Sequence, residues 1–119
     1  MGKFKWSLIL PWIVGIFFVA GGLGNIFASN TILDDYQRWG YPGWFHYVTG
    51  IVELAAAALI LLRPTRLLGL ALAATIMLSA IATVLGHGEY SHAIAPATAL
   101  GLVLLTGWTT WRTGLAASR

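Results

Sequence analysis

The fold is decided by one stretch, residues 39–64, which reads WGYPGWFHYVTGIVELAAAALILLRP. It contains an aromatic Gly-Tyr-Pro-Gly turn, a histidine, a single carboxylate inside an apolar run, and a basic turn at its end. That carboxylate is Glu53, and an acid within hydrocarbon costs about 2.5 to 3.5 kcal/mol. Glu53 must therefore be neutral, paired or in a hydrated cavity, which makes it the first candidate for a functional residue.

The composition indicates that lipid, rather than water, surrounds most of the chain. Its 119 residues suit a single domain, and 58% of them are hydrophobic while only 9% are charged. Soluble proteins average roughly 45–50% apolar and about 25% charged residues. The seven Lys and Arg are scattered at the ends of apolar segments, so we predict no nucleic-acid partner. The lack of cysteine excludes thiolate metal sites and covalent haem attachment in this chain.

Four apolar segments predict an all-α fold, a membrane four-helix bundle that forms one domain over residues 1–119. The predicted transmembrane segments are residues 8–28, 44–62, 67–86 and 94–111. The first apolar run is about twenty residues long, which exceeds the 7 to 15 residues of a signal-peptide core, so we interpret it as a membrane helix. The polar and aromatic segment 29–44 is predicted to be a short amphipathic turn at the outer interface.

The distribution of basic residues predicts the orientation of the bundle. Six of the seven fall on one side of the predicted membrane: Lys3, Lys5, Arg63, Arg66, Arg112 and Arg119. Only Arg38 falls on the other side. Because cytoplasmic loops carry the excess of Lys and Arg, both termini are expected to be cytoplasmic.

Small residues predict where the helices pack closely. Ala20, Gly24 and Ala28 recur every four residues on the first segment, and Ala97 and Gly101 do so on the fourth. Such small-xxx-small patterns allow close approach of two helix backbones. On the second segment, one helical face carries a set of polar and small residues, and we expect it to look into the bundle. This set is His46, Thr49, Gly50, Glu53, Ala56 and Ala57.

Glu53 and its expected neighbours predict a pocket for a polar head group, open toward the outer leaflet. The candidate ligand-binding residues are Asn25, His46, Glu53, Ser79, Thr83 and His87. Thr75, Ser79 and Thr83 share one face of the third segment, where their hydroxyls either bond to backbone carbonyls or point toward Glu53. We expect Glu53 to be protonated and hydrogen-bonded, since burial disfavours the charged form. A neutral polar clasp between helices is the alternative to a functional acid.

A metal site is a weaker alternative. The topology is expected to bring His46, His87, Glu89 and His92 to one level, and imidazole with carboxylate can bind zinc or copper. However, the spacing His87-x-Glu89-x-x-His92 belongs to a loop and matches no metal-binding helix motif. Haem requires two inward histidines on facing helices, which the pattern does not provide. We therefore predict no intrinsic cofactor.

Several motifs together resemble those of a known family. They are the glycine-rich end of the first segment, Gly40-Tyr41-Pro42, Gly50-x-x-Glu53, the Arg63-Pro64 turn, and residues 80–87. Over nearly its whole length the chain resembles the DoxX and DoxX-like family of small four-helix membrane proteins. The family takes its name from subunits of a thiosulfate to quinone oxidoreductase, so the resemblance implies a subunit linked to a membrane oxidoreductase. A lysine that often follows the first glycines in the family is missing, and Asn25 stands nearby instead.

Three functions follow from these observations. The first is a subunit of a quinone-linked oxidoreductase, in the bacterial inner membrane, whose pocket holds a quinone or lipid. The second is a non-catalytic accessory or scaffold protein that binds another membrane protein or redox complex through its small-residue faces. The third is a small proton-coupled transporter, in which Glu53 exchanges the proton. An accessory subunit fits the sequence better than a free-standing enzyme, because no soluble catalytic motif is present.

Overall fold

The structure is a computed structural model that describes residues 5–117, so Lys3 and Arg119 of the predicted basic side lie outside the described residues. Within that range the fold is all-α, as predicted, with no β-strand. Five α-helices follow one another: α1 Trp6–Ile26, α2 Asn30–Arg38, α3 Phe45–Leu61, α4 Arg66–Gly86 and α5 Ile94–Ala117. Short 3-10 turns at Arg63–Thr65 and Tyr90–Ala93 precede α4 and α5.

The additional helix is α2, which the sequence predicted only as a turn. Ser29 caps its start, because its hydroxyl accepts a hydrogen bond from the Ile32 amide at 3.4 Å. Two residues after its last residue, Gly40 adopts a φ of 87°, a conformation that favours glycine. The described residues therefore contain a short fifth helix in addition to the four predicted membrane segments.

Three of the helical segments are long and apolar enough to cross a membrane, judged by length and composition. They are Trp6–Ile26, Arg63–Gly86 and Tyr90–Gly114. The fourth candidate, α3, is apolar but has only 17 residues, which gives a length of about 25 Å. Large apolar side chains such as Trp12, Ile16 and Leu68 are exposed on the outside of the helices. A surface of this kind suits lipid and not water.

The four longer helices pack side by side around a common core. α1 packs against α3 and α5, and α4 packs between α3 and α5. The fully buried core side chains include Val14, Phe18, Ala56, Ala57, Ile60, Ala73 and Val103. Two ends can be distinguished. The basic end carries Lys5, Arg63, Arg66 and Arg112, and the cap end carries α2 and the connection from α4 to α5.

Glycines place α1 against α3: Gly50 lies on the inward face predicted for α3, but the glycine of α1 that meets it is Gly22 and not the predicted Gly24. A Cβ on Gly50 would lie 2.6 Å from the carbonyl oxygen of Gly22, so the two helix backbones meet at this point. Gly24 has no atom near the position of a Cβ, and the adjacent turn residue Ala20 is exposed. Gly101 of the second predicted pattern is likewise exposed and open. The helix contacts predicted for the first and fourth segments are therefore wrong, whereas the face predicted for the second segment, with Gly50, Ala56 and Ala57, is buried.

Candidate functional site

A cavity of about 790 Å³ opens at the cap end. Its walls come from α1, α3 and α4, while α2 and the start of α5 close part of its mouth. Most of the wall is apolar, with side chains such as Phe17, Val52, Leu72 and Ile76. Ligand pockets in proteins typically measure about 300–1,000 Å³ and combine apolar walls with a few polar groups. The polar side chains here are Asn25, Asp35, Tyr36, Trp39, Tyr41, Thr49, Glu53, Thr75, Ser79, Thr83, Ser91 and His92.

Glu53 lies in the wall of this cavity, and only 4% of its surface is exposed. Its Oε1 accepts a hydrogen bond from Nδ2 of Asn25 at 2.5 Å. Its Oε2 lies against Gly21, where a Cβ would collide with that oxygen. A glycine at this position therefore makes room for the carboxyl group. The arrangement confines one oxygen in a protein hydrogen bond and leaves the other without a partner.

Asn25 connects Glu53 to the cap helix. Its Nδ2 donates to the backbone oxygen of Gly21 at 3.1 Å as well as to Glu53. Its Oδ1 accepts from the Tyr36 hydroxyl of α2 at 2.7 Å. The carbonyl of Gly21 can only accept a hydrogen bond, so the amide nitrogen must face this side. Asn25 thus presents a donor to Glu53, and α1, α2 and α3 are joined by one chain of hydrogen bonds.

Aromatic rings surround the Tyr36 end of this chain. The Tyr36 ring meets the rings of Trp39, Tyr41 and Phe45 edge-on. Tyr41 and Phe45 are stacked, with ring centroids 4.4 Å apart. Burial among these groups raises the pKa of Tyr36 above its ordinary value of 10, so the hydroxyl remains a donor at neutral pH. Offset and edge-on ring pairs stabilise such a cluster and hold α2 over the cavity.

The hydroxyls of α4 line the cavity but do not bond to Glu53. Thr75 donates to the backbone oxygen of Ala71 and Ser79 donates to that of Thr75, each at 2.9 Å. Thr83 instead shares a hydrogen bond of 2.7 Å with the hydroxyl of Tyr41. The sequence left open whether these hydroxyls bond to backbone carbonyls or point toward Glu53. Those of Thr75 and Ser79 bond to backbone carbonyls.

Two of the candidate histidines lie away from the cavity wall. His46 is buried, and its Nδ1 bonds to the backbone oxygen of Asn25 at 2.7 Å. This contact satisfies a carbonyl in the last turn of α1, which has no partner in its own helix. His87 is exposed, and its Nδ1 bonds to the backbone oxygen of Thr83 at 2.8 Å. Both imidazoles therefore support helix ends.

The cap is closed by a cluster around Glu89. Its carboxylate accepts from Arg38 Nε at 3.0 Å, from Arg38 Nη2 at 2.7 Å and from Trp39 Nε1 at 3.1 Å. His92 Nδ1 lies 3.0 Å from the same carboxylate, and Asp35 pairs with the other arm of Arg38. The Arg38 guanidinium beside Glu89 lowers the pKa of Glu89 from 4.5 to about 2, and Glu89 in turn raises the pKa of Arg38.

The four residues considered as metal ligands are not brought together in the structure. Between residues 5 and 117, no three His, Asp or Glu side chains are grouped so that they could hold a metal ion. Of the four residues considered, only Glu89 and His92 are in contact, while His46 and His87 bond to backbone oxygens. Glu89 already binds a guanidinium, which occupies both of its oxygens.

The contribution of α2 to the site was not predicted from the sequence. Tyr36 and Trp39 line the cavity, together with Ile32 of the preceding turn. A spacing of four and then three residues places all three on one face of a helix. That signal was present within the segment interpreted as a turn. Tyr41 was taken as an interface residue, and no sequence pattern indicated its bond to Thr83.

Comparison with known proteins agrees with this architecture. A model of the DoxX-like family matches residues 9–116, which is nearly the whole chain. No curated protein and no solved structure gives a significant match. The match and the long apolar helices together indicate a small integral membrane protein. The chain belongs to the DoxX-like family.

Proposed function

We propose that this protein is a quinone-binding subunit associated with a quinone-linked membrane oxidoreductase. The observation that carries the proposal is the cap-end cavity, which combines apolar walls with a single buried carboxyl group. An isoprenoid quinone has a flat ring with two polar oxygens and a long apolar tail. The ring suits the space beside Glu53, and the tail suits the apolar wall and the surrounding lipid.

Aromatic side chains support a flat ligand. Phe17, Tyr36, Tyr41 and Phe45 all line the cavity, and they come from α1, from α2, from the segment after α2 and from α3. Aromatic rings stack favourably in offset or edge-on arrangements, with about 0.5–1.5 kcal/mol per pair beyond the burial of area. A quinone ring can make such contacts, whereas the flexible head group of a phospholipid cannot.

The placement of the cavity in the membrane is part of the proposal. α1, α3, α4 and α5 would all span a bacterial inner membrane, with both termini in the cytoplasm. Lys5, Arg63, Arg66 and Arg112 support this orientation, because the basic end then faces the cytoplasm. The cavity would lie toward the outer leaflet. Because α3 has only 17 residues, it spans the core only if the bilayer thins locally or the cap end lies at the interface.

An accessory role fits a chain in which helices make up nearly all of the described residues. The segments that connect the described helices are short, so electrons for the quinone would come from a partner protein. Purification in mild detergent tests this part of the proposal, because a subunit should be recovered with a redox partner. Recovery of a lone, monodisperse protein from its native membrane would contradict the subunit role.

Quinone binding is tested by filling the cavity. Ala80 of α4 lines it, and Ala80→Phe would occupy part of the space for the ring. Ala82→Phe is the matched control, because Ala82 is exposed on the same helix and does not line the cavity. Each protein is purified from the same membranes, and the quinone bound per protein is measured by mass spectrometry.

We expect a several-fold loss of bound quinone in Ala80→Phe and none in Ala82→Phe. Absence of quinone from the unsubstituted protein, or an equal quinone content in both variants, would contradict the proposal. Lipid in place of quinone would show that the cavity is filled by the bilayer itself.

A further inference from the structure

The hydrogen atoms of the polar groups around Glu53 are already used within the protein. Asn25 donates both of its amide hydrogens, one to the backbone oxygen of Gly21 and one to Glu53. Tyr36 donates its hydroxyl hydrogen to Asn25 Oδ1. Since an amide nitrogen has two hydrogens and a phenol has one, neither residue has a hydrogen left for a ligand.

Most hydroxyls on the other walls follow the same pattern, and the exception is Ser91, whose hydroxyl makes no hydrogen bond among the described residues. Thr49 donates to the backbone oxygen of Phe45 at 3.3 Å, and Thr75 and Ser79 donate to carbonyls of their own helix. Between Tyr41 and Thr83 one of the two hydrogens is consumed. The indole N–H of Trp39 is directed to Glu89.

What remains available beside Glu53 is a set of acceptors, whereas the donor hydrogens left in the cavity, one of the Tyr41–Thr83 pair and that of the Ser91 hydroxyl, belong to other elements. Each hydroxyl that donates still has lone pairs, and Glu53 keeps Oε2 without a hydrogen bond. Among the described residues, the only fully buried side-chain nitrogen or oxygen without a hydrogen bond is Thr110 Oγ1. Since Glu53 Oε2 also has no hydrogen bond, it must be accessible from the cavity. Asp35 adds a second carboxylate, one oxygen of which pairs with Arg38, and among the described residues no Lys or Arg side chain lines the cavity.

We propose that the cavity prefers a head group that donates hydrogen bonds, and therefore binds the hydroquinone form in preference to the oxidised quinone. The inference rests on the proposed function and names the redox form of its ligand. A hydroquinone carries two O–H donors, which find acceptors at Glu53 and along α4. A quinone carries two carbonyl oxygens, which only accept, so beside an ionised Glu53 such an oxygen finds no donor. The carboxyl that is expected to be neutral in the empty site is held ionised by the donors of the hydroquinone, since hydrogen bonds to the charged form favour it. A buried acceptor without a donor is unfavourable.

The preference is measured with three ligands that share one ring and one tail. Decyl-hydroquinone offers two donors, decyl-benzoquinone offers none, and the dimethyl ether of the hydroquinone keeps the ring and oxygens but has lost both hydrogens. Binding to the purified full chain is measured anaerobically by equilibrium dialysis. We expect the hydroquinone to bind about tenfold more tightly than the other two, as one or two net hydrogen bonds would give.

Glu53→Gln is the sharpest variant, because it keeps the shape of the side chain. Asn25 would still donate to Gln Oε1, so the new amide nitrogen would take the place of Oε2 and offer a donor. We expect the ratio of quinone to hydroquinone affinity to rise several-fold. Ser79→Ala is a second variant that removes an acceptor from the α4 wall, and it should weaken hydroquinone binding alone. Asp34→Asn, an acid-to-amide change at an exposed position outside the cavity, is the control.

The outcomes separate the two proposals. Equal or tighter binding of the quinone, or of the dimethyl ether, would overturn the preference for a donor while leaving quinone binding intact. An affinity ratio unchanged by both Glu53→Gln and Ser79→Ala would also overturn it. Failure of all three ligands to bind would overturn the proposed function itself.

Discussion

The contact between α1 and α3 and the cap-end cavity use small residues in opposite ways. Gly22 and Gly50 lie where two helix backbones meet, so their missing side chains bring the helices together. Gly21, one residue away, faces the cavity wall, and its missing side chain makes room for the carboxyl of Glu53. A glycine thus lets two helices approach each other when it faces a backbone, and it leaves room for a side chain when it faces a polar group.

The largest expected effect comes from breaking the close contact. Gly50→Ala would place a Cβ 2.6 Å from the Gly22 oxygen and 3.0 Å from the Ile26 nitrogen, and backbone atoms cannot move aside cheaply. Overpacking of this kind typically destabilises a protein by about 1–3 kcal/mol. We expect a loss of this size in the free energy of unfolding, measured in detergent by denaturant titration.

Gly24→Ala provides the matched control for that prediction. The same substitution two residues after Gly22 meets nothing within 4 Å. In a helix, alanine is favoured over glycine by roughly 0.5–1 kcal/mol, so this variant should be neutral or slightly more stable. If Gly24→Ala were as destabilising as Gly50→Ala, the assignment of the helix contact to Gly50 would be wrong.

These glycines also show how far the sequence can predict the packing. Hydropathy predicted the helical segments well, because apolar side chains must face lipid or core along their whole length. The face of α1 that meets α3 was not predictable from spacing, because Gly15 and Gly22, seven residues apart, share one face while Ala20 and Gly24 share another. Which face is used depends on the position of the partner helix, and the sequence does not encode that locally.

The candidate site was likewise predicted only in part from the sequence. The spacing of Glu53 on α3 placed it in the bundle interior, and Asn25 was recognised as a polar residue near it. The hydrogen bond from Tyr36 joins residues eleven apart across a loop, and the bond from Arg38 to Glu89 joins residues 51 apart. Contacts of this kind arise from the docking of α2, so they needed the structure.

A smaller effect is expected where α2 joins the cavity wall. Tyr36→Phe keeps the ring contacts but removes the hydroxyl that donates to Asn25 Oδ1 at 2.7 Å. A net hydrogen bond contributes about 0.5–1.5 kcal/mol, and we expect a loss of stability in this range. Tyr47→Phe is the control, since Tyr47 is half exposed and its hydroxyl makes no hydrogen bond within the described chain.

A second measurement distinguishes loss of the hydrogen bond from general loosening. With Tyr36→Phe, hydrogen exchange in α2 should increase, whereas exchange in the core of α4 around Ala73 should not. Equal loosening of both regions would show that Tyr36 supports the whole fold and not only the cap of the cavity.

The smallest effect concerns the cluster on the cap, and it should depend on pH. The pKa of Glu89 is lowered from 4.5 to about 2 by Arg38, so its contribution to stability is complete above about pH 4.5 and is lost as the pH falls toward 2. We expect Glu89→Gln to lower Tm by no more than a few degrees between pH 5 and 8, because the Arg38 side chain is 45% exposed.

The difference in Tm between the two proteins should then shrink steadily below pH 4.5, since glutamine does not titrate and Glu89 gains a proton. Asp34→Asn, on the exposed face of α2, should leave Tm unchanged at pH 5 to 8. A Tm difference for Glu89→Gln that persists undiminished at pH 2 would show that the side chain supports the cap through its shape and not its charge. In that case the cap would be held, like the contact of α1 with α3, by packing alone.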